Sequence, residues 1–283
     1  MQIAETIKSI RQIVANARAQ GKSIALVPTM GSLHAGHISL IDAAVKQCDF
    51  VVVSIFVNPT QFGPNEDLDQ YPRDLETDAK ICENANASAV FAPAVNEIYT
   101  EKNITWVTVT KLTENLCGKS RPTHFRGVTT VCAKLFNIVT PDKAFFGQKD
   151  AQQAIVIERM ARDLNFPLEI VICPTVREPD GLAMSSRNKF LTEDQRKDAL
   201  LIYKALQQCE KMVSRREHNC QNLIRQMREI LESSPRLDVE YISIVDPLTV
   251  QDIDEIADNA LVAIAAKIAA TRLIDNIIVH LHK

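Results

Sequence analysis

The sequence predicts an α/β fold, a Rossmann-like doubly wound parallel sheet joined to a second, smaller α+β domain. Three observations carry this expectation. Between residues 23 and 174, short apolar runs without polar alternation are separated by stretches of helical periodicity. That is the pattern of strands buried on both faces and joined by crossover helices. Past Pro174 the texture changes to a polar loop, two helical stretches and three strand-like runs, the order of a small α+β unit. The length of 283 residues also exceeds what a single core usually fills. The boundary falls at 175, giving domains 1–175 and 176–283.

In chain order, MQIAETIKSIRQIVANARAQGK reads as an amphipathic helix ended by Gly21. It lacks the basic start and unbroken apolar stretch of a signal peptide. SIALVP (23–28) is the first strand and its helix opens near His34. FVVVSIFV (50–57) is the second strand, followed by a polar loop from Asn58 to Tyr71 long enough to cover a site, and a helix from near Pro72. ASAVFA (87–92) is the third, and ITWVTVT (104–110) alternates as an added edge strand would. A helix from near Phe125, the strand KAFFG (143–147), a helix from near Gln148 and the strand LEIVIC (168–173) complete the first domain. A loop containing Gly, Ser and Asn then runs to Asn188. Helices at 192–213 and 218–233 follow, and after them the strands DVEYISIVD, ALVAIAAKI and RLIDNIIV.

Apolar residues make up 46% and charged residues 24%, so a packed core rather than disorder is expected. A net charge of -3 without basic blocks supplies no field for a nucleic-acid backbone. The longest apolar runs, such as Ala260 to Ala266, fall far short of the roughly 20 residues that span a bilayer. Seven scattered cysteines with no CxxC pair fit reduced thiols in a cytoplasmic protein, each a small core residue rather than a ligand or nucleophile.

Chemistry is expected where strands give way to helices, because that edge of a parallel sheet faces the ligand crevice. Pro28-Thr-Met-Gly-Ser-Leu-His34-Ala-Gly36-His37 is such a junction. Gly31 and Gly36 let phosphates approach the backbone, and the free N–H groups of the helix start attract negative charge. His34 and His37, one turn apart, can each donate to a phosphate oxygen, and a protonated ring can offset charge developing there. A zinc site or two solvated histidines are the competing readings, though no Cys, Asp or Glu lies close by to complete a zinc set.

Gly147-Gln-Lys149-Asp150-Ala-Gln152-Gln153 is a second such junction. Lys149 suits phosphate, while Asp150 and a glutamine suit hydroxyls; as the plainer alternative, Asp150 caps the helix and Lys149 is solvated. Met184-Ser185-Ser186-Arg187-Asn188 offers two hydroxyls and a guanidinium as a closing clamp, or else a plain polar turn. Asn58-Pro-Thr-Gln61-Phe62 places neutral amides at a strand's end, suited to a small polar molecule. Arg121, His124 and Arg126 either add positive charge near an anion or serve as surface ion-pair partners.

Taken together, PTMGSLHAGH, FVNPTQFGPNEDLDQYPRD, RPTHFRGVTTV, FGQKDAQQ, PTVREPDGLAMSSRN and TRLIDN resemble, in order and spacing, the pantothenate synthetase family, nearly end to end. The HxGH turn alone is shared with class I aminoacyl-tRNA synthetases and nucleotidyltransferases; the other blocks are more specific. The resemblance implies that ATP, pantoate and β-alanine become pantothenate, AMP and pyrophosphate, with magnesium, in a cytoplasmic homodimer. It implies an ATP site along Met30, Gly31, Ser32, Leu33, His34, Ala35, Gly36 and His37, then Gly147, Gln148, Lys149 and Asp150, with Val176, Met184, Ser185, Ser186 and Arg187.

His37 takes an acid role by resemblance, and Gln61 and Gln153 match the pantoate-binding glutamines, Gln61 also bordering β-alanine. His34, His37, Lys149, Ser185, Ser186 and Arg187 are the groups expected to stabilise the phosphorus under attack and the departing pyrophosphate. The metal ligands are unassigned; Asp74, Glu76 and Asp78 are nearby candidates. The family usually has Gly where this chain has Thr123, and Gly near Ala269. The rivals are a nucleotidyltransferase that adenylates a phosphate ester, an ADP-forming ligase and a nucleotide-sensing module without catalysis.

Overall fold

The structure is a computed structural model and describes residues 1–64, 66, 68–101 and 103–281. Asn65 and Asp67 of the polar loop, and the last two positions of the second domain, lie outside the described residues. The chain begins with β1 (Gln2–Ala4), α1 (Ile7–Ala19), β2 (Ile24–Thr29), α2 (Ala35–Val45) and β3 (Phe50–Ile55). It continues through α3 (Leu75–Asn84), β4 (Ala89–Phe91), the short helices α4 (Val95–Ile98) and α5 (Cys117–Ser120), and α6 (His124–Val139). The first half closes with β5 (Lys143–Gly147), α7 (Ala151–Asp163) and β6 (Glu169–Cys173). The remainder holds α8 (Glu193–Val213), α9 (Cys220–Leu231), β7 (Leu237–Val245), β8 (Asn259–Ile268) and β9 (Thr271–His280).

The first sheet is parallel with strand order β1-β4-β3-β2-β5-β6. Successive strand residues point to opposite faces, so Ile24 and Leu26 of β2 pack with α1, α6 and α7, while Ala25 and Val27 pack with α2 and α3. Both sets are buried, which is why the strand reads as an uninterrupted apolar run. The order turns at β2, whose neighbours β3 and β5 continue the sheet in opposite directions. The crevice at that switch point lies between the end of β2 and the end of β5.

The smaller part is an antiparallel β7-β8-β9 sheet against α8 and α9, sharing one core that includes Leu206, Leu223, Val262 and Ile264. Two sequence expectations are corrected. The amino-terminal helix does not start the chain: Gln2–Ala4 pairs with β4 and the helix begins at Ile7, capped by Thr6. Residues 104–110 join no sheet. They run along α6, where the Thr130 hydroxyl accepts from Val107 N (3.0 Å) and Thr129 donates to Val107 O (2.6 Å), so side chains satisfy backbone groups that a ladder would otherwise pair.

Candidate active site

A cavity of ≈ 280 Å³ opens at the switch point. Its walls bring together Met30, His34, Gly36 and His37 from the first junction, Gln61 from the second strand's end, and Gly147, Lys149, Asp150 and Gln153 from the third. Val176, Met184, Ser185, Ser186 and Arg187 close it from the loop after β6. The three phosphate-type motifs, far apart in sequence, thus face one space.

The turn after β2 bends through two left-handed residues, Gly31 (φ 81) and Ser32 (φ 52). A buried carboxylate holds it from behind: Asp78 of α3 accepts from Ser32 N (2.9 Å) and Leu33 N (2.8 Å). A Cβ at Gly31 would lie 2.7 Å from Asp78 Oδ2, so only glycine allows that approach. At the start of α2, Gly36 N donates to His34 Nδ1 (3.1 Å) and His34 N donates to His37 Nδ1 (3.3 Å). Each ring therefore carries its proton on Nε2, the nitrogen left for a ligand.

Burial, together with the other imidazole and Lys149, pushes His37 down to about 3, and burial with Lys149 lowers His34. Near pH 7 both rings are therefore neutral N–H donors. The ring centroids lie 4.2 Å apart, which places two donors side by side.

The Gln61 wall is a hydrogen-bonded unit. Asn58 Nδ2 donates to Gln61 Oε1 (3.0 Å) and to Gly127 O (3.2 Å), while Gln61 Nε2 contacts Met30 Sδ (3.0 Å). The Gln61 carbonyl accepts from His124 Nδ1 (2.9 Å) and Arg121 Nη2 (3.4 Å), and Arg121 Nε pairs with Glu66 (2.7 Å). Arg121 and His124 are thus engaged in holding this turn and its covering loop, although both reach the cavity wall. Burial, then the neighbouring Arg121, pushes His124 down to about 4.

The loop carrying Ser185 to Arg187 is anchored on both sides. Met184 N donates to Val176 O (3.0 Å), and Asn188 Nδ2 donates to Glu178 (2.6 Å) and Ala183 O (3.0 Å). Met184 Cβ lies 3.8 Å from where a Cβ on Gly36 would stand, so the loop already meets the histidine turn. Cys132 is the cysteine that borders the cavity; burial pushes its thiol up to about 12, which makes it a poor nucleophile.

Against known families, residues 2–278 match the model of pantoate-beta-alanine ligase. The chain belongs to the pantoate-beta-alanine ligase family. It is 54% identical over 278 residues to the pantothenate synthetase of Thermoanaerobacter pseudethanolicus, covering 98% of each chain. It is 53% identical over 282 residues to that of Moorella thermoacetica, covering 100% of both. The crystal structure of the Thermus thermophilus pantothenate synthetase superposes with a TM-score of 0.93 at 41% identity, over 98% of this chain and 99% of that one. The pantoate-beta-alanine ligase of Francisella tularensis, solved with β-γ ATP and β-alanine, superposes at 0.80 with 36% identity, over 98% and 97%. The protein is therefore an enzyme of the ligase class.

Some positions that the ligase resemblance implied for ATP are not among the residues that line this cavity. Gly31, Ser32 and Leu33 shape the turn, Leu33 being buried among the apolar residues beneath α2, and Ala35 is the exposed first residue of that helix. Gln148 turns its side chain to Asn276 of β9 (3.0 Å). The proposed metal ligands are occupied elsewhere: Asp78 holds the turn, Asp74 caps α3, and Glu76 pairs with Lys80 on the surface. Of the two departures from the ligase pattern, Thr123 takes an ordinary right-handed conformation before α6, whereas Ala269 is left-handed (φ 52) in the β8–β9 turn. The roles of Asp78 and Asn276 had no local signal, since each acts on a segment distant in sequence.

Proposed function

We propose that this ligase joins pantoate to β-alanine in two steps at this cavity. A pantoate carboxylate oxygen attacks the α-phosphorus of ATP, the bond to the bridging oxygen breaks, and pyrophosphate leaves with that electron pair. The unprotonated amine of β-alanine then attacks the acyl carbon of the adenylate. The carbon–oxygen bond to AMP breaks, the nitrogen loses a proton, and pantothenate and AMP depart. The observation that carries this reading is the convergence of His34, His37, Lys149, Ser185, Ser186 and Arg187 on one cavity that also holds Gln61 and Gln153.

In this reading Nε2–H of both histidines, the Lys149 ammonium and the Ser185–Arg187 loop meet the triphosphate and the charge shifting onto pyrophosphate. Gln61 and Gln153 hold pantoate, and the backbone near Val176 and Met184 borders the nucleoside. His37 meets ATP as a hydrogen-bond donor, since burial keeps its ring neutral before ATP arrives.

Magnesium, which the family resemblance implies, would supply charge neutralisation for the triphosphate. Among the described residues no group of three or more His, Cys, Asp or Glu side chains is placed to hold a metal. Asp150 is the carboxylate on the cavity wall among the described residues, and it would be the protein group to hold such an ion. Residues 1–175 supply the nucleotide and pantoate walls, and residues 176–283 act as the lid. The enzyme works as a cytoplasmic homodimer on small molecules, with no nucleic-acid partner; no helix among the described residues is long and apolar enough to cross a membrane.

The decisive test is pantoate-dependent exchange of labelled pyrophosphate into ATP without β-alanine, followed by amine-dependent release of AMP. Exchange requires a reversible adenylation, and AMP release that waits for β-alanine excludes a simple adenylyltransferase. A folded enzyme that makes pantothenate without any exchange would refute the adenylate route.

A further inference from the structure

The second domain bears on the segments that wall the nucleotide cavity through one strand as well as through its loop. Asn276 of β9 is buried, and every polar atom of its side chain is used. Nδ2 donates to two successive carbonyls, Gln148 O (3.1 Å) and Lys149 O (2.9 Å), while Oδ1 accepts from Gln148 Nε2 (3.0 Å). Only a donor can face two carbonyls, so the amide's orientation is fixed by chemistry. The segment it grips is the tight turn Gln148–Asp150, which precedes α7 without any side-chain cap of its own. That turn carries Lys149 into the cavity.

The preceding residue, Asp275, grips a second segment of the site. It takes both Arg177 guanidinium nitrogens (2.6 and 3.1 Å) and its own neighbour's N–H (2.8 Å). Arg177 also donates to Gly181 O (3.2 Å) and lies 3.7 Å over the Tyr203 ring, fixing the chain that leads into Met184–Arg187. Two adjacent residues of β9 therefore hold the backs of two phosphate-facing segments.

We infer that Asn276 is a positioning residue for Lys149, registering that ammonium against the triphosphate from outside the first sheet. The inference rests on the proposed adenylation. Removing the clamp frees the Lys149 turn to shift, and a displacement of about 1 Å at a reacting group can cost roughly 100-fold in rate. Asn276→Asp replaces both donors with a carboxylate facing two carbonyls, and Asn276→Ala removes them without adding charge.

The test is a double-mutant cycle on pantoate-dependent pyrophosphate exchange, using the full-length enzyme and the variants N276D, N276A, K149A and N276A/K149A, with circular dichroism melts as the folding check. Wild-type exchange establishes the underlying reaction independently of any variant. Expected is a fall of about 10- to 100-fold for N276A, with a similar or larger loss for N276D, and a loss from N276A that largely disappears in the K149A background. Aminolysis of preformed pantoyl adenylate by β-alanine should change less than about 3-fold in N276A, because pyrophosphate has already left. If N276D does not fold, N276A decides. Wild-type exchange rates in folded N276A, or an equal loss with and without Lys149, would overturn the assignment, since a purely structural lesion lowers both half-reactions and ignores Lys149.

Discussion

Gly127 offers the sharpest steric test of the pantoate wall. It lies on α6 where that helix crosses the Pro59–Gln61 turn, and a Cβ there would stand 2.4 Å from Thr60 O, 2.6 Å from Thr60 C and 2.7 Å from Gln61 Cα. These are backbone atoms, so no side chain can rotate aside. Carbon contacts relax at about 3.5 Å, so Gly127→Ala must part helix and turn by roughly 1 Å. Overpacking of this kind costs about 1–3 kcal/mol, partly offset by about 0.5–1 kcal/mol from replacing a helical glycine. The net loss, about 0–2.5 kcal/mol, leaves the protein folded. The same 1 Å moves Gln61 and weakens the bond from Asn58 to the Gly127 carbonyl, so kcat/KM for pantoate should fall about 10- to 100-fold. The apparent KM for ATP should move less than about 3-fold, because the histidine turn is held separately by Asp78. Steady-state kinetics with each substrate varied in turn, beside urea melts, measure both effects. Gly63→Ala is the control, since its Cβ would meet only the Glu66 side chain at 3.6 Å or beyond. A folded Gly127→Ala enzyme with unchanged kcat/KM for pantoate would sink the reasoning.

Three further outcomes are expected. His37→Ala should lower turnover roughly 100- to 1000-fold with the fold intact, as loss of one donor to developing charge does elsewhere; near-normal turnover in a folded variant counts against the role. Stability should fall as pH drops below 6.5 toward about 3, because unfolded His37 takes up a proton that the buried native ring refuses. Urea melts of wild type and His37→Gln should therefore diverge by about 1.4 kcal/mol per pH unit in that window, and parallel slopes would contradict it. Ala269→Gly should raise stability by about 1 kcal/mol, since the left-handed turn strains an alanine and not a glycine; an unchanged or lower unfolding midpoint would show that the strain is absent.

What the sequence revealed follows from which forces are local. The five strands from SIALVP to LEIVIC announce themselves because apolar residues from them pack on both sheet faces, so each reads as a mainly apolar run. The glycine-rich junctions announce themselves by composition, although in the structure Gly31 makes room for Asp78 and Gly36 for the His34 ring. β1 stayed hidden because three residues beside a strong helix carry too little pattern, and it exists only through pairing with β4. Residues 104–110 misled for the opposite reason. Val107 and Val109 turn inward on an extended segment, so the alternation is real, but their partner is a helix with threonine hydroxyls rather than another strand. Asp78 looked like a metal candidate because its acidity is visible in the sequence, while its two backbone donors lie more than forty positions away.

The residues hardest to read share a physical role. Each phosphate-facing group is set by a partner that does not line the main cavity: Asp78 for the left-handed turn, Asn276 for the Lys149 turn, Asn188 and Arg177 for the serine-arginine loop. The two histidines have their tautomers set through backbone N–H groups. In the proposed adenylation, fixing these donors during folding removes most of the ordering cost from ATP binding, which is the condition for electrostatic stabilisation to act on the reacting phosphorus without reorganisation. Burial first, and charge repulsion second, keeps the rings neutral. An anionic triphosphate can raise their proton affinity as it arrives, whereas two permanently charged imidazoles beside Lys149 would repel one another. The chemistry of this cavity is therefore written as much in the residues behind its wall as in those upon it.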